Sequence, residues 1–146
     1  MKLVIHTDGG ARGNPGPAAV GVVIEKLTPS NGALIEISGF GKTIGETTNN
    51  VAEYTAVIEA LKEVARLKVH TGGDEGGVEI EFYLDSTLVV NQLNGLFKIK
   101  EPHLRELMFA VRRMEQDVGG IITYQVVRRE FNKRADYFVN QALDNQ

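Results

Sequence analysis

The sequence predicts an α/β domain with a mixed five-stranded sheet: an antiparallel meander of three strands, two further strands, and helices on both faces. Alternating apolar residues mark the strands, and apolar residues at helical spacing mark the helices. Along the chain the two patterns follow the order β-β-β-α-β-α-α-β-α. The length of 146 residues fits a single domain over 1–146 with one core.

The first third of the chain predicts three consecutive strands. Residues 2–8 alternate between two faces and form the first strand. Residues 9–17 hold four glycines and two prolines, which predicts a loop. Strands over 18–27 and 33–43 follow, and the turn residues at 29–32 join them as a hairpin.

The rest of the chain mixes helices with two strands. Residues 70–77 show no periodicity and predict a flexible connection. Ser86 and Pro102 are typical of helix starts, as an N-cap and as a first-turn proline. The predicted elements are, in order, a long helix after 47–50, a strand over 78–84, a short helix over 86–93, an amphipathic helix entered through Pro102, a strand over 121–127 and a helix over 134–143.

The composition is that of a soluble globular protein, at 42% hydrophobic and 24% charged residues. No apolar run approaches the ~20 residues that span a bilayer, and the N-terminus lacks a signal-peptide pattern, so we expect a cytoplasmic protein with no membrane partner. Without cysteine, any metal must be held by oxygen or imidazole. The net charge of −3 is no general signature of nucleic-acid binding, although clustered arginines and lysines are compatible with a phosphate ligand.

Four carboxylates occupy positions that can converge at one end of the sheet. Asp8 and Asp85 each follow a predicted strand, where a turn or cap residue is the alternative explanation. Glu53 and Asp136 fall in the first turns of predicted helices, where acids favour the helix dipole. Glu53 also lies three residues after Asn50, as in a capping box, yet it belongs to the stripe that packs the sheet.

A cluster of ionised carboxylates at neutral pH usually holds Mg²⁺ or Mn²⁺, because the charges otherwise repel. Such a site suits displacement at phosphorus by two ions. The three histidines, His6, His70 and His103, do not have the spacing of a zinc site. Asparagines and glycines near the acids can contact a nucleic-acid strand, although turn and capping chemistry explains each of them alone.

Four segments resemble ribonuclease H type 1 (RNase HI), in the order of that family. They are TDGGARGNPGP at 7–17, TTNNVAEY at 47–54, LDS at 84–86 and REFNKRAD at 129–136. The first two are long and specific, whereas the last two are short. The resemblance covers essentially the whole chain and implies one RNase H-like catalytic domain over 1–146.

The resemblance implies an endonuclease that cuts the RNA strand of an RNA–DNA hybrid and leaves a 5′-phosphate. Two Mg²⁺ or Mn²⁺ ions per site would be held by the four acids, which are thereby both metal ligands and catalytic residues. Asp8 would bridge both ions, and Asp136 would complete the site of the ion that activates water. Glu53 and Asp85 would hold the other ion, with Glu53 near the 2′-hydroxyl beside the scissile phosphate.

The same resemblance assigns substrate contacts. Asn14, Asn49 and Asn50 would line the minor groove, and the backbone of Gly10, Ala11 and Arg12 would contact RNA 2′-hydroxyls. Ser86 and Arg129 are also assigned to substrate binding. The expected partner is an RNA–DNA hybrid, with duplex RNA left open as a second substrate, and the chain is expected to be monomeric.

Two departures from the family pattern stand out. Many members carry a histidine in a loop before the last aspartate, whereas this chain reads VRREFN at 127–132; Arg129 could contact phosphate instead, or be a solvated basic residue. Some bacterial members also carry a basic, tryptophan-rich protrusion. This chain has no tryptophan, and its short stretch 94–100 offers only Lys98 and Lys100. We therefore predict weaker, more salt-sensitive binding than in protrusion-bearing relatives.

Two other functions stay open from the sequence. One is a catalytically silent module that binds hybrids or duplexes with the same fold. The other is a related nuclease of the same superfold, such as a resolvase or transposase core, which would prefer duplex DNA. Cleavage assays on hybrid, duplex RNA and duplex DNA separate these possibilities.

Overall fold

The structure, a computed structural model, describes the backbone over residues 1–71 and 77–146, and the side chains outside 68–76. Every predicted strand and helix is present. In chain order they are β1 (Lys2–Ala11), β2 (Gly16–Leu27), β3 (Leu34–Thr47), α1 (Asn49–Thr71), β4 (Glu79–Leu84), α2 (Thr87–Leu93), α3 (Pro102–Val118), β5 (Ile121–Val126), a 3-10 turn (Arg129–Phe131) and α4 (Lys133–Asp144).

The five strands form one mixed sheet, as predicted, and their order in it is β3-β2-β1-β4-β5. β1, β2 and β3 are the antiparallel meander, and β4 pairs in parallel with both β1 and β5. The parallel pairing of β1 with β4 ends at His6 and Tyr83. Asp8 and Asp85 therefore each lie two residues beyond the point where β1 and β4 stop pairing with each other.

Helices cover both faces of this sheet. The alternating residues Leu3 and Ile5 of β1 point into the main core, where α1, α2 and α3 pack. On the other face α4 contributes Val139 and Leu143 to a smaller cluster. Backbone of α4 lies so close to β2 that a Cβ at Gly21 would clash with the carbonyl oxygen of Ala135. No helix in the described part of the chain is long and apolar enough to cross a membrane.

The first strand is longer than predicted, and Asp8 lies inside it instead of at its end. Gly9, Gly10 and Ala11 continue the antiparallel ladder with β2, so the loop predicted over 9–17 shrinks to the residues between β1 and β2. A glycine is needed at position 9 because α1 crosses it: a Cβ there would lie against the carbonyl group of Ala52, and 2.5 Å from Glu53 N.

The start of α1 also differs from the prediction. The helix begins at Asn49, and its first turn contains no acid, so Glu53 lies one turn further in. The predicted capping box between Asn50 and Glu53 is therefore wrong. Thr48 caps the start of the helix instead, since its Oγ1 accepts a hydrogen bond of 3.3 Å from the N–H of Val51.

The remaining boundaries shift by a few residues. β3 runs to Thr47 instead of 43, because it pairs with the whole of β2, and α1 runs to Thr71. The connection predicted over 70–77 thus starts later, and 72–76 lie outside the described residues. The helix after β4 begins as predicted: Ser86 accepts a hydrogen bond of 3.2 Å from the N–H of Val89.

Candidate active site

Three of the four predicted acids meet in space. Asp8 comes from β1, Glu53 from the second turn of α1, and Asp85 from the end of β4. Each offers a carboxylate oxygen within 4.8 Å of those of the other two. Such closeness is unfavourable for three ionised groups in a poorly hydrated place, so the site must either keep protons or bind a cation.

Glu53 is the most deeply placed of these acids, at 5% exposure. Its Oε1 accepts a hydrogen bond of 2.5 Å from the backbone N–H of Gly9. Its Oε2 is buried and has no hydrogen-bond partner among the described residues. Burial, and then the charges of Asp8 and Asp85, raise the pKa of Glu53 well above its ordinary value.

Asp8 occupies the centre of the cluster and is affected in the same direction. Burial first, and then the negative charge of Asp85, raise the pKa of Asp8 to about 7. The charge of Asp136 contributes to the same rise in the pKa of Asp8, which places the fourth acid beside Asp8. Asp136 itself is exposed, in the first turn of α4, and stands outside the group of three.

These residues fit a hard divalent cation. The donor set consists of carboxylate oxygens, which Mg²⁺, Mn²⁺ and Ca²⁺ all accept. The unpartnered Oε2 of Glu53 is a second indication, because a buried carboxylate oxygen otherwise lacks compensation for its lost hydration. Asp8, Glu53 and Asp85 are therefore the residues placed to hold such an ion, with Asp136 next to Asp8.

The acids line one open cleft together with most of the predicted substrate residues. The cleft is formed between the end of β1, the start of α1, the end of β4 and one side of α4. The predicted residues that line it, besides the four acids, are Gly10, Ala11, Arg12, Asn49, Asn50, Ser86 and Arg129. Among the described residues that line the cleft there is no histidine; His6 instead stacks on Tyr83 at 5.2 Å between ring centroids.

Asn14 is the one predicted substrate residue that does not line the cleft. Its Oδ1 accepts a hydrogen bond of 2.9 Å from the N–H of Asn49. Asn49 in turn accepts one of 2.9 Å from the N–H of Ala11 through its own side chain. Asn14 and Asn49 thus join the loop after β1 to the start of α1, which fixes the wall of the cleft.

Two asparagines next to the acids were not among the site residues predicted from the sequence. Asn132, at 1% exposure, donates from Nδ2 to the carbonyl of Thr7 at 2.9 Å and to Asp85 Oδ2 at 3.2 Å. Asn140 donates to Asp136 Oδ2 at 3.3 Å. The only signal for Asn140 was its spacing of four from Asp136 on a helix, and Asn132 had the position of an ordinary N-cap.

Arg12 is partly engaged by α4. Its guanidinium forms an ion pair of 2.7 Å with Asp144 and a hydrogen bond of 3.4 Å with Asn140 Oδ1. Both partners of the ion pair are largely exposed, at 48% and 63% of their side chains. The pair is therefore a weak, solvent-screened contact across the rim of the cleft.

Comparison with known proteins agrees with this geometry. A family described as Reverse transcriptase-like matches residues 6–142. The RNase H1 structure from the halophilic archaeon Halobacterium salinarum NRC-1 is 36% identical, with a TM-score of 0.83 and complete coverage of both chains. LC11-RNase H1, isolated from compost and solved in complex with an RNA/DNA hybrid, is 41% identical over 98% of this chain and 97% of its own, with a TM-score of 0.82.

A longer relative is the Bifunctional protein Rv2228c of Mycobacterium tuberculosis, 38% identical over 144 residues. The match covers 99% of this chain and only 36% of that protein, so the chain spans about a third of the length of its mycobacterial relatives. The sheet order and the acidic cleft define an RNase H-like domain. The chain belongs to the type 1 ribonuclease H family.

Proposed function

We propose that this chain is the catalytic domain, over 1–146, of a metal-dependent endoribonuclease that hydrolyses the RNA strand of RNA–DNA hybrids. The observation that carries the proposal is the convergence of Asp8, Glu53 and Asp85 within 4.8 Å, with Asp136 beside Asp8. The hybrid bound by LC11-RNase H1 supports this substrate class, since that relative is 41% identical across nearly the whole chain.

The proposed cofactor is a pair of Mg²⁺ or Mn²⁺ ions. When bound, such ions lower the pKa of a water nucleophile and neutralise charge on the phosphate and the leaving oxygen. Asp8, at the centre of the acids, would contact both ions; Glu53 and Asp85 would hold one of them and Asp136 the other. Hydrolysis with the 3′ oxygen as leaving group gives the proposed 5′-phosphate product.

The cleft wall supports recognition of RNA. Gly10 and Ala11 line the cleft and carry no side chain or only a methyl group, and Asn50 adds an amide that can donate and accept hydrogen bonds. A 2′-hydroxyl likewise donates and accepts, and it distinguishes RNA from DNA. Arg129, on the 3-10 turn, is exposed at the cleft and is placed to contact a phosphate.

A cleavage assay tests the proposal. Purified protein is mixed with end-labelled hybrid, duplex RNA and duplex DNA of one sequence, each with Mg²⁺ and with Mn²⁺. We expect nicking of the RNA strand of the hybrid and products that a 5′-phosphate-dependent exonuclease degrades. Asp8→Asn should abolish cleavage while the circular dichroism spectrum stays native. Binding of the hybrid without cleavage in either metal would favour the silent binding module, and preferential cleavage of duplex DNA would favour a resolvase-like nuclease.

A further inference from the structure

The side chain of Asn132 lies where β1 and β4 stop pairing. The parallel ladder ends at His6 and Tyr83, and the carbonyl of the next residue on β1, Thr7, accepts its hydrogen bond from Asn132 Nδ2 at 2.9 Å. A side-chain amide thus supplies a hydrogen bond at the point where the neighbouring strand no longer pairs. Asp8 follows Thr7 on β1, and Asp85 follows Leu84, the last residue of β4.

The same nitrogen donates to Asp85 Oδ2 at 3.2 Å. One amide therefore contacts the backbone next to Asp8 and the side chain of Asp85 together. Asn132 is 1% exposed, so its position is fixed by packing and water does not compete for its N–H groups. It precedes α4 as an N-cap residue does, yet its side chain makes no capping hydrogen bond.

We propose that Asn132 is a positioning residue that holds Asp85 at its working distance and orientation relative to Asp8. The inference rests on the proposed metal-dependent function. Three carboxylates within 4.8 Å repel one another, and a carboxylate at the end of a strand relieves that repulsion by rotating outwards. The hydrogen bond to Oδ2 opposes this rotation, and it leaves Oδ1 of Asp85 as the oxygen available to an ion.

Asn132→Ala and Asn132→Asp test the proposal. The first removes the donor, and the second keeps the side-chain size but places a carboxylate, which cannot donate, against Asp85. Tyr124→Phe is the matched control, because it removes a partly buried hydrogen bond of 2.6 Å to Glu115 without touching the cleft. Urea denaturation of all variants separates stability from site effects.

The decisive measurement is the affinity of the protein for Mn²⁺, by calorimetry without nucleic acid. We expect the Mn²⁺ affinity to fall roughly 10–100-fold in both Asn132 variants, because removal of a hydrogen-bond partner of a metal-binding side chain has effects of that size. The Mn²⁺ affinity of Tyr124→Phe should stay unchanged. On a hybrid substrate at saturating metal, kcat should fall while KM changes little, because Asn132 does not face the cleft.

Wild-type Mn²⁺ affinity and kcat in folded Asn132→Ala would overturn the proposal. Failure of both variants to fold would also overturn it, since Asn132 would then serve the fold and not the site. The proposed function is tested separately: if the wild-type protein binds Mn²⁺ but cleaves no hybrid, that function fails, while the affinity difference between wild type and the variants still decides the role of Asn132.

Discussion

The backbone N–H of Gly9 donates a hydrogen bond of 2.5 Å to Glu53 Oε1, which ties the strand that carries Asp8 to the helix that carries Glu53. The contact requires the two backbones to lie unusually close. It is possible only because position 9 has no side chain. The close approach of Asp8 and Glu53 therefore depends on the glycine at position 9.

Gly9→Ala should be strongly destabilising. Its Cβ would meet the backbone of Ala52 and Glu53, and a backbone cannot move aside as a flexible side chain can. We expect a loss of about 3 kcal/mol or more, the upper range for overpacking, measured by urea denaturation. Gly10→Ala is the control: its Cβ would have ordinary contact with Val139 at 3.8 Å, so a similar loss there would contradict the explanation.

The metal-free protein should lose stability as pH rises through neutrality. Because burial and neighbouring charges raise the pKa of Asp8 from 3.8 to about 7, folding favours the protonated form. The corresponding stability is fully present below about pH 4, the unfolded pKa, and is lost as pH rises through 7. Thermal unfolding in a chelator from pH 4.5 to 8.5 measures it.

Asp8→Asn provides the comparison for this pH dependence, since it removes the titration of Asp8 and, with it, one of the charges that raise the pKa of Glu53. The variant should gain stability relative to wild type between pH 5 and 8, with each 1 kcal/mol visible as about 2–4 °C in Tm. Added Mg²⁺ should raise the Tm of wild type more at pH 8 than at pH 5, because the ligands must be deprotonated. Parallel pH curves for the two proteins would contradict the raised pKa of Asp8.

Arg129→Ala should weaken hybrid binding. Arg129 lines the cleft, whereas its neighbour Arg128 is 84% exposed, pairs with Glu130 at 3.6 Å and does not line it. Fluorescence anisotropy in the non-cleaving Asp8→Asn background should show a salt dependence reduced by about one unit of slope for Arg129→Ala. Arg128→Ala should leave that slope unchanged; equal effects of the two changes would indicate general charge attraction instead of a phosphate contact.

Asp144→Asn should tighten hybrid binding at low salt. Asp144 pairs with Arg12 at the rim of the cleft and adds a negative charge where a phosphate backbone would pass. We expect an increase of a few-fold, since the pair is exposed and worth roughly 0–1 kcal/mol. Asp117→Asn, an exposed residue of α3 away from the cleft lining, controls for net charge. Binding unchanged by Asp144→Asn, or tightened equally by Asp117→Asn, would contradict a local effect.

Periodicity was sufficient to predict every strand and helix, although β3 buries no residue fully and β2 is buried on both faces. Contacts between distant segments determine the element boundaries that periodicity did not predict. Gly9 and Gly10 have the composition of a loop, yet they extend β1 because β2 pairs with them and α1 packs against them. The start of α1 at Asn49 shifted Glu53 by one turn, while its inward-facing position on the stripe was predicted.

The acids of the site were predictable, whereas the asparagines that hold them were not. The four acids stand out as a set, because carboxylates that converge repel one another unless a cation binds or protons are kept. Asn132 stands immediately before a helix, where an asparagine has an ordinary capping explanation. Only the fold shows that its amide turns away from α4, towards Thr7 and Asp85.

Asp8, Glu53 and Asp85 all lie within the first 85 residues, whereas Asp136 and Asn132 come from α4 and the turn before it. The last helix of the described fold and the turn that precedes it thus contribute both the fourth acid and the amide that contacts Asp85. Loss of the packing of α4 on the sheet would remove both together, while Asp8, Glu53 and Asp85 would keep their places on β1, α1 and β4.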